Sequence, residues 1–302
     1  MIRCMGDSGL DSRREELAEG WERSAEGWER SAAGWGRQAD RFREFSMPVS
    51  EWMIEHLGLE PGQRVLELAA GPGDTGFLAA PQIARALPAQ PTDGILVCSD
   101  GAEAMLEVAR ARASKLGIEN VEFRRLRLEW IDLPAASVDA ILCRWGFMLS
   151  ADPGAAFGEA RRVLRPGGRI ALAVWDACER NPWATIPGRA LVALGHSSPP
   201  DPAAPGMFAL AAPGRLREML ESAGFVQALV EVVEVDRAYP SLGSYLQETL
   251  DLSRSFSEIR STLCTEQDTE LEREIVSLTA PFTAADGSVR FPGSSLVAVA
   301  SG

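Results

Sequence analysis

The sequence predicts an α/β fold, a mostly parallel sheet with helices on both faces. From residue 61 onward, short apolar runs alternate with amphipathic helical stretches, the pattern of βαβ units. Seven such runs qualify as strands, and the first ends in a glycine-rich turn, Gly71-Pro72-Gly73. In an open parallel sheet the carboxyl ends of the strands form the ligand-binding edge, so that turn is the first place to look for chemistry.

In chain order, the first feature is a short repeat. Residues 21–27 read WERSAEG, 28–34 WERSAAG and 35–41 WGRQADR, so that Trp21, Trp28, Trp35 and Phe42 recur every seven residues with Ala25, Ala32 and Ala39 four positions after each Trp. Spacings of four and seven share one helical face. The repeat predicts an amphipathic helix over 1–46 whose aromatic stripe needs a partner: its own domain, the roof of a ligand pocket, or a second copy of the chain. Strands are expected at 64–70, 94–100, 120–128, 138–145, 165–175, 226–236 and 294–300. Helices are expected from the glycine turn to about 88, at 102–117 with Gly117 as its stop, at 153–165 and at 214–225. Residues 176–212, with Pro199, Pro200, Pro202 and Pro205, predict a loop or lid. Residues 241–288 predict a helical lid insertion before the terminal strand in 289–302.

Composition narrows the function. The 302 residues carry a net charge of −13 with 46% hydrophobic residues, ordinary for a globular chain. An acidic chain is repelled by phosphate backbones, so nucleic acid is not an expected partner. No apolar run approaches the ~20 residues that span a bilayer, and the first residues have no secretory pattern, so a cytoplasmic protein is expected. The five cysteines, Cys4, Cys98, Cys143, Cys178 and Cys264, are scattered without metal-site spacing, and no metal is expected.

The stretch VLELAAGPGDTG, residues 65–76, carries the chemistry. Bare glycines at a strand-to-helix turn let a ligand lie against backbone amides. Gly71, Gly73 and Gly76 spell GxGxxG, and Asp100 ends the next strand at about the spacing of a dinucleotide fingerprint. The residues alone therefore leave a nicotinamide dinucleotide open. Glu67, acidic and inside the strand, favours a cationic nucleoside over a pyrophosphate.

Taken together these motifs resemble the class I S-adenosylmethionine-dependent methyltransferases, and most closely the branch of the ubiquinone and menaquinone biosynthesis methyltransferases. The likeness covers about residues 45–235. It implies a Rossmann-like seven-stranded sheet with its last strand antiparallel, S-adenosyl-L-methionine as cofactor, and a set of binding residues. Glu67, Ala69, Gly71 and Gly73 occupy the first motif. Asp100 would take the ribose hydroxyls and Met105 would pack on the adenine. Leu128 and Glu129 stand in the adenine loop, where Arg127 replaces the aspartate the family often has. Cys143 and Arg144 would lie near the methionine portion.

For the acceptor the resemblance implies a small, largely apolar or aromatic molecule of the quinol, phenol or secondary-metabolite type, methylated by in-line displacement. Trp145, Phe147, Met148 and Trp183 form the expected pocket wall, with Trp175, Met207 and Phe208 nearby. Arg144 and Arg180 could meet an acidic group on the acceptor. His196 is the candidate base in the lid segment; His56 reads as structural. The expected organisation is an N-terminal helical segment at 1–46, a cofactor domain at 47–240 including the lid 176–212, the insertion 241–288 and the closing strand. The other readings are a catalytically silent cofactor-binding or scaffolding module and, on the glycine pattern alone, a nicotinamide-dependent dehydrogenase.

Overall fold

A computed structural model describes residues 8–84, 94–201 and 204–302, with side chains described from residue 26. Cys4, the side chain of Trp21 and the expected helix end near 88 lie outside the described residues.

Helix α1 (Ser8–Leu57) is followed by strand β1 (Arg64–Glu67), helix α2 (Asp74–Ile83), β2 (Ile95–Asp100), α3 (Glu103–Leu116), β3 (Val121–Arg125), β4 (Val138–Arg144), α4 (Pro153–Val163) and β5 (Leu164–Trp175). Then come α5 (Pro182–Ala193), α6 (Arg215–Ser222), β6 (Val226–Glu234), β7 (Arg237–Tyr239), α7 (Leu242–Leu252), α8 (Arg254–Arg260), α9 (Thr265–Thr279), β8 (Val289–Phe291) and β9 (Ser294–Ser301). The main sheet has seven strands in the order β3-β2-β1-β4-β5-β9-β6. Strands β1 to β5 pair in parallel, and β9 runs antiparallel between β5 and β6. The expected seven-stranded, mostly parallel sheet with an antiparallel last strand is what the chain forms.

The apolar runs become strands because both sheet faces are covered. Val65, Leu66, Leu96, Val97, Ile141, Leu142 and Ile170 to Val174 are all fully buried. Strand order fixes the site. The chain builds β1, β2 and β3 outward to one side, then returns to lay β4 on the other side of β1. The reversal leaves a crevice at the carboxyl end of β1, where residues 69–73 turn.

Three elements depart from expectation. Residues 176–212 contain α5, which starts with Pro182 at its first position, where a missing N–H costs nothing. The insertion before β9 is clipped at its base by a small ladder in which Arg237 faces Phe291 and Tyr239 faces Val289; strands of three residues are too short to show period-2 alternation. Helix α1 runs unbroken past residue 46, through Pro48, to Leu57. Among the described residues no helix is long and apolar enough to cross a membrane.

Candidate active site

The turn after β1 is bare and tightly held. Ala69, Gly71 and Gly73 have φ values of +49°, +53° and +84°, a region disfavoured by about 1–2 kcal/mol for residues with a Cβ. Asp100, at the end of β2, ties the turn to its own strand: its carboxylate accepts the Gly71 amide at 2.9 Å and the Ala102 amide at 3.0 Å. Burial raises the Asp100 pKa, and these amides offset only part of that rise. Glu67 is buried and accepts the Gly76 amide at 2.8 Å. Desolvation pushes its pKa up to about 8, only partly offset by the Gly76 amide and the Arg144 charge.

The glycines serve different ends. A Cβ on Gly76 would stand 2.2 Å from the Glu67 carboxyl, so that glycine makes room for Glu67. A Cβ on Gly71 would meet nothing within 4 Å. The Gly71 face of the turn is therefore open.

Behind the turn lies a buried ion network that sequence reasoning missed. Asp74, the first residue of α2, pairs with Arg112 of α3 at 2.6 Å and with Arg144 of β4 at 3.6 Å. Arg112 reaches on to Asp40 of α1 at 3.0 Å. Arg144 also donates to Ser46 and, at 3.2 Å, to Ser50. Arg144, expected near the methionine portion or an acceptor acid, has its charge met within the chain: a guanidinium this buried requires a carboxylate, and Asp74 supplies it. The adjacency of Asp74 to the glycine motif was the available signal.

Strand β4 ends in a second strained turn. Trp145 has φ +59°, and a Cβ on Gly146 would lie 2.7 Å from both the Ala69 Cβ and the Cys143 Sγ. The bare Gly146 of the turn after β4 thus packs against the Ala69 side chain of the turn after β1, and the two turns together concentrate strain of the kind found at functional sites. The Trp145 indole stacks on Trp175 at 4.1 Å and donates to Ser295 at 3.0 Å. Trp183 meets Trp175 edge-on at 4.9 Å. On its other side Trp183 and Phe45 sandwich the guanidinium of Arg237, at 3.9 and 4.0 Å.

The remaining candidates divide. Met105, in the first turn of α3, is buried in a cluster with Ala102 and Ala32 of α1. Leu128 sits partly buried beside the Gly146 turn. Glu129 accepts from the Ser150 hydroxyl and the Ala151 amide, so its carboxylate braces the loop after β4. Cys143 is fully buried and its thiol is pushed up to about 12 by desolvation. Phe147 stacks on Phe157 of α4 at 4.2 Å and belongs to the core. Met148 is buried, and its carbonyl accepts the Gly206 amide of the lid segment. Arg180 pairs with Asp176 and Glu234. His196 lies just beyond α5, its amide bonded to the Leu191 carbonyl.

Comparison with known proteins settles the family. Residues 59–223 match the family described as "Methyltransferase domain". The chain belongs to that family. With its sheet order and its glycine turn, it has the fold of the class I S-adenosylmethionine-dependent methyltransferases. Among relatives of this methyltransferase, an arsenite methyltransferase of Halobacterium salinarum is 32% identical over 114 residues, 38% of this chain and 27% of its own. A ubiquinone/menaquinone biosynthesis C-methyltransferase of Teredinibacter turnerae is 31% identical over 121 residues, 40% of this chain and 46% of its own. The match thus spans less than half of either relative. The YcgJ protein of Bacillus subtilis shares the fold, with a TM-score of 0.55 at 18% identity over 84% of this chain and 97% of that one.

The residues of this methyltransferase fit S-adenosylmethionine. The Gly71 face is open, the turn is held rigid by its own amides on Ser99, Asp100 and Ala70, and Asp100 stands at the end of the adjoining strand.

Proposed function

We propose that this chain binds S-adenosylmethionine against residues 69–73 and transfers its methyl group to a small, largely apolar or aromatic acceptor. The observation that carries the reading is the open face of Gly71, at the crevice where the strand order reverses. In this reading Asp100 accepts from the ribose hydroxyls, Met105 and Leu128 flank the adenine, and the Glu67–Gly76 bond fixes the turn that receives the methionine portion. The cofactor supplies a methyl group already activated on a sulfonium. What is left to the chain is to hold the acceptor in line and keep water out.

The acceptor side is read from Trp145, Trp175, Trp183 and the buried Met148. A wall of indoles suits a flat ring, such as a quinol or phenol, better than an inorganic ion, and the likeness to a quinone-pathway C-methyltransferase supports the same class. His196 is kept as the group that takes the acceptor's proton, carried on the segment that folds back onto Met148.

The test is calorimetry with S-adenosylhomocysteine and NADH, followed by a screen of quinols and phenols with labelled cofactor. Micromolar binding of the homocysteine product and none of NADH is expected; the reverse overturns the reading. Gly71→Val should cost about 1–2 kcal/mol of stability through its φ yet weaken S-adenosylhomocysteine by ~100-fold, ~3 kcal/mol. Undiminished affinity would mean the open face is not the binding face.

A further inference from the structure

The N-terminal repeat has a place in this site. Trp28 and Trp35 lie 6.0 Å apart, Trp35 and Phe42 4.7 Å, and Phe42 and Trp145 5.5 Å, centroid to centroid. The row starts beside the N-terminus of α3, where Glu29 accepts the amides of Glu103 and Ala104 at 2.7 and 2.9 Å. It ends on Trp145, just past β4. Strand β1 lies between β2 and β4, so a row of rings running from the end of β2 to the end of β4 crosses in front of the turn after β1. The open face of Gly71 therefore has a roof, made by α1.

One atom in that roof is unexplained. The indole N–H of Trp35 is buried and has no hydrogen-bond partner, a costly state for a polar group. Trp35 packs against the cluster of Ala32, Ala102 and Met105, on the β2 side of the crevice, and Ala102 gives its amide to the Asp100 carboxylate. The two groups are complementary. A carboxylate only accepts and an indole N–H only donates, whereas a ribose hydroxyl does both.

We propose that Trp35 is a cofactor-contacting residue, its indole N–H donating to the oxygen of a ribose hydroxyl whose proton points to Asp100. The proposal rests on the reading of the Gly71 turn as the S-adenosylmethionine site. It assigns the heptad repeat a role in ligand binding beyond packing α1 onto α3.

The experiment compares wild type, Trp35→Phe and Asp100→Asn by calorimetry with S-adenosylhomocysteine and with 5′-methylthioadenosine, which keeps the ribose and lacks the amino acid. Phenylalanine keeps the ring contacts and deletes the N–H. Trp35→Phe should melt like wild type without ligand and bind both compounds about tenfold more weakly, the loss of one hydrogen bond. Unchanged affinity for both overturns the proposal. A loss with S-adenosylhomocysteine alone also overturns it, since the contact would then lie on the amino-acid half. If wild type binds neither compound, the reading of the turn fails instead; weakened binding of both by Asp100→Asn supports that reading independently of Trp35. Nitrogen-15 spectroscopy gives a second readout. The indole resonance missing from Trp35→Phe should move downfield when either compound is added to wild type, and a stationary resonance overturns the proposal.

Discussion

The two halves of the carboxyl edge are built from different materials. Around β1 and β2 the working parts are backbone amides, glycines and buried carboxylates: Gly71 on Asp100, Gly76 on Glu67, and Asp74 between two arginines. Around β4, β5 and β9 they are indole rings, with Trp145 on Trp175 and Trp175 against Trp183. Fixed dipoles suit a group of constant shape and charge. Flat apolar walls select by size and outline. On the proposed reading, the division sets a rigid turn with its buried carboxylates against the nucleoside and a group of indole rings against the acceptor.

The division can be broken most severely from the polar half. Asp74→Ala leaves Arg112 and Arg144 in the interior without their shared carboxylate. Removing one partner of a buried ion pair costs about 3–5 kcal/mol, so the urea midpoint should fall sharply; a shift below about 1 kcal/mol would mean that solvent already serves both arginines.

Glu67→Gln sharpens the same half through pH. In the folded chain Glu67 keeps its proton to about 8, against an ordinary 4.5. Its contribution to stability is complete below 4.5, where folded and unfolded chains both hold the proton. It is lost as pH rises from 4.5 to 8, because the unfolded chain sheds that proton first. Glutamine still accepts the Gly76 amide and does not titrate. The stability difference between variant and wild type should therefore grow in the variant's favour across that window, as followed by urea unfolding at stepped pH. A constant difference would mean that Glu67 is ionised in the native protein.

The smallest effect belongs to the aromatic half. Trp183→Phe trims the proposed acceptor wall while keeping a ring beside Arg237. Acceptor KM should rise ~3–10-fold, the range for a modest change of pocket shape, with the S-adenosylhomocysteine Kd within ~2-fold. A larger change in Kd than in KM would dissolve the boundary between the halves.

Much of this layout was legible in the residues. The central strands announce themselves as apolar runs because burial on both faces leaves few polar positions to blur them, whereas the edge strands β3 and β6 carry exposed charged residues and show as runs only through their β-branched and apolar positions. The turn at 69–73 was legible because glycine and strained backbone go together. What escaped was decided by distant partners. Arg144 stood out at the sheet edge, but its partners Asp74, Ser46 and Ser50 gave no sign in the sequence. Phe147 looked like a pocket wall, yet Phe157 draws it into the core. Helix α5 hid behind its prolines, one of which starts it. Glu29 gave no local signal, since its acceptors' worth depends on the start of a helix some seventy residues later.

Helix α1 also bears on how the molecule assembles. Its grip on the rest of the chain includes Arg37 and Gln38 on Asp251, separations of 214 and 213 residues. During synthesis the tryptophan stripe leaves the ribosome long before those partners exist. At ~5–20 residues per second Arg37 and Gln38 wait ~10–40 seconds for Asp251, whereas the rings can meet α3 and Trp145 well before then. The helix is thus housed in two stages, its aromatic stripe first and its polar grip on Asp251 last, so that a chain interrupted before residue 251 would hold its rings in place while leaving this end of α1 unfastened.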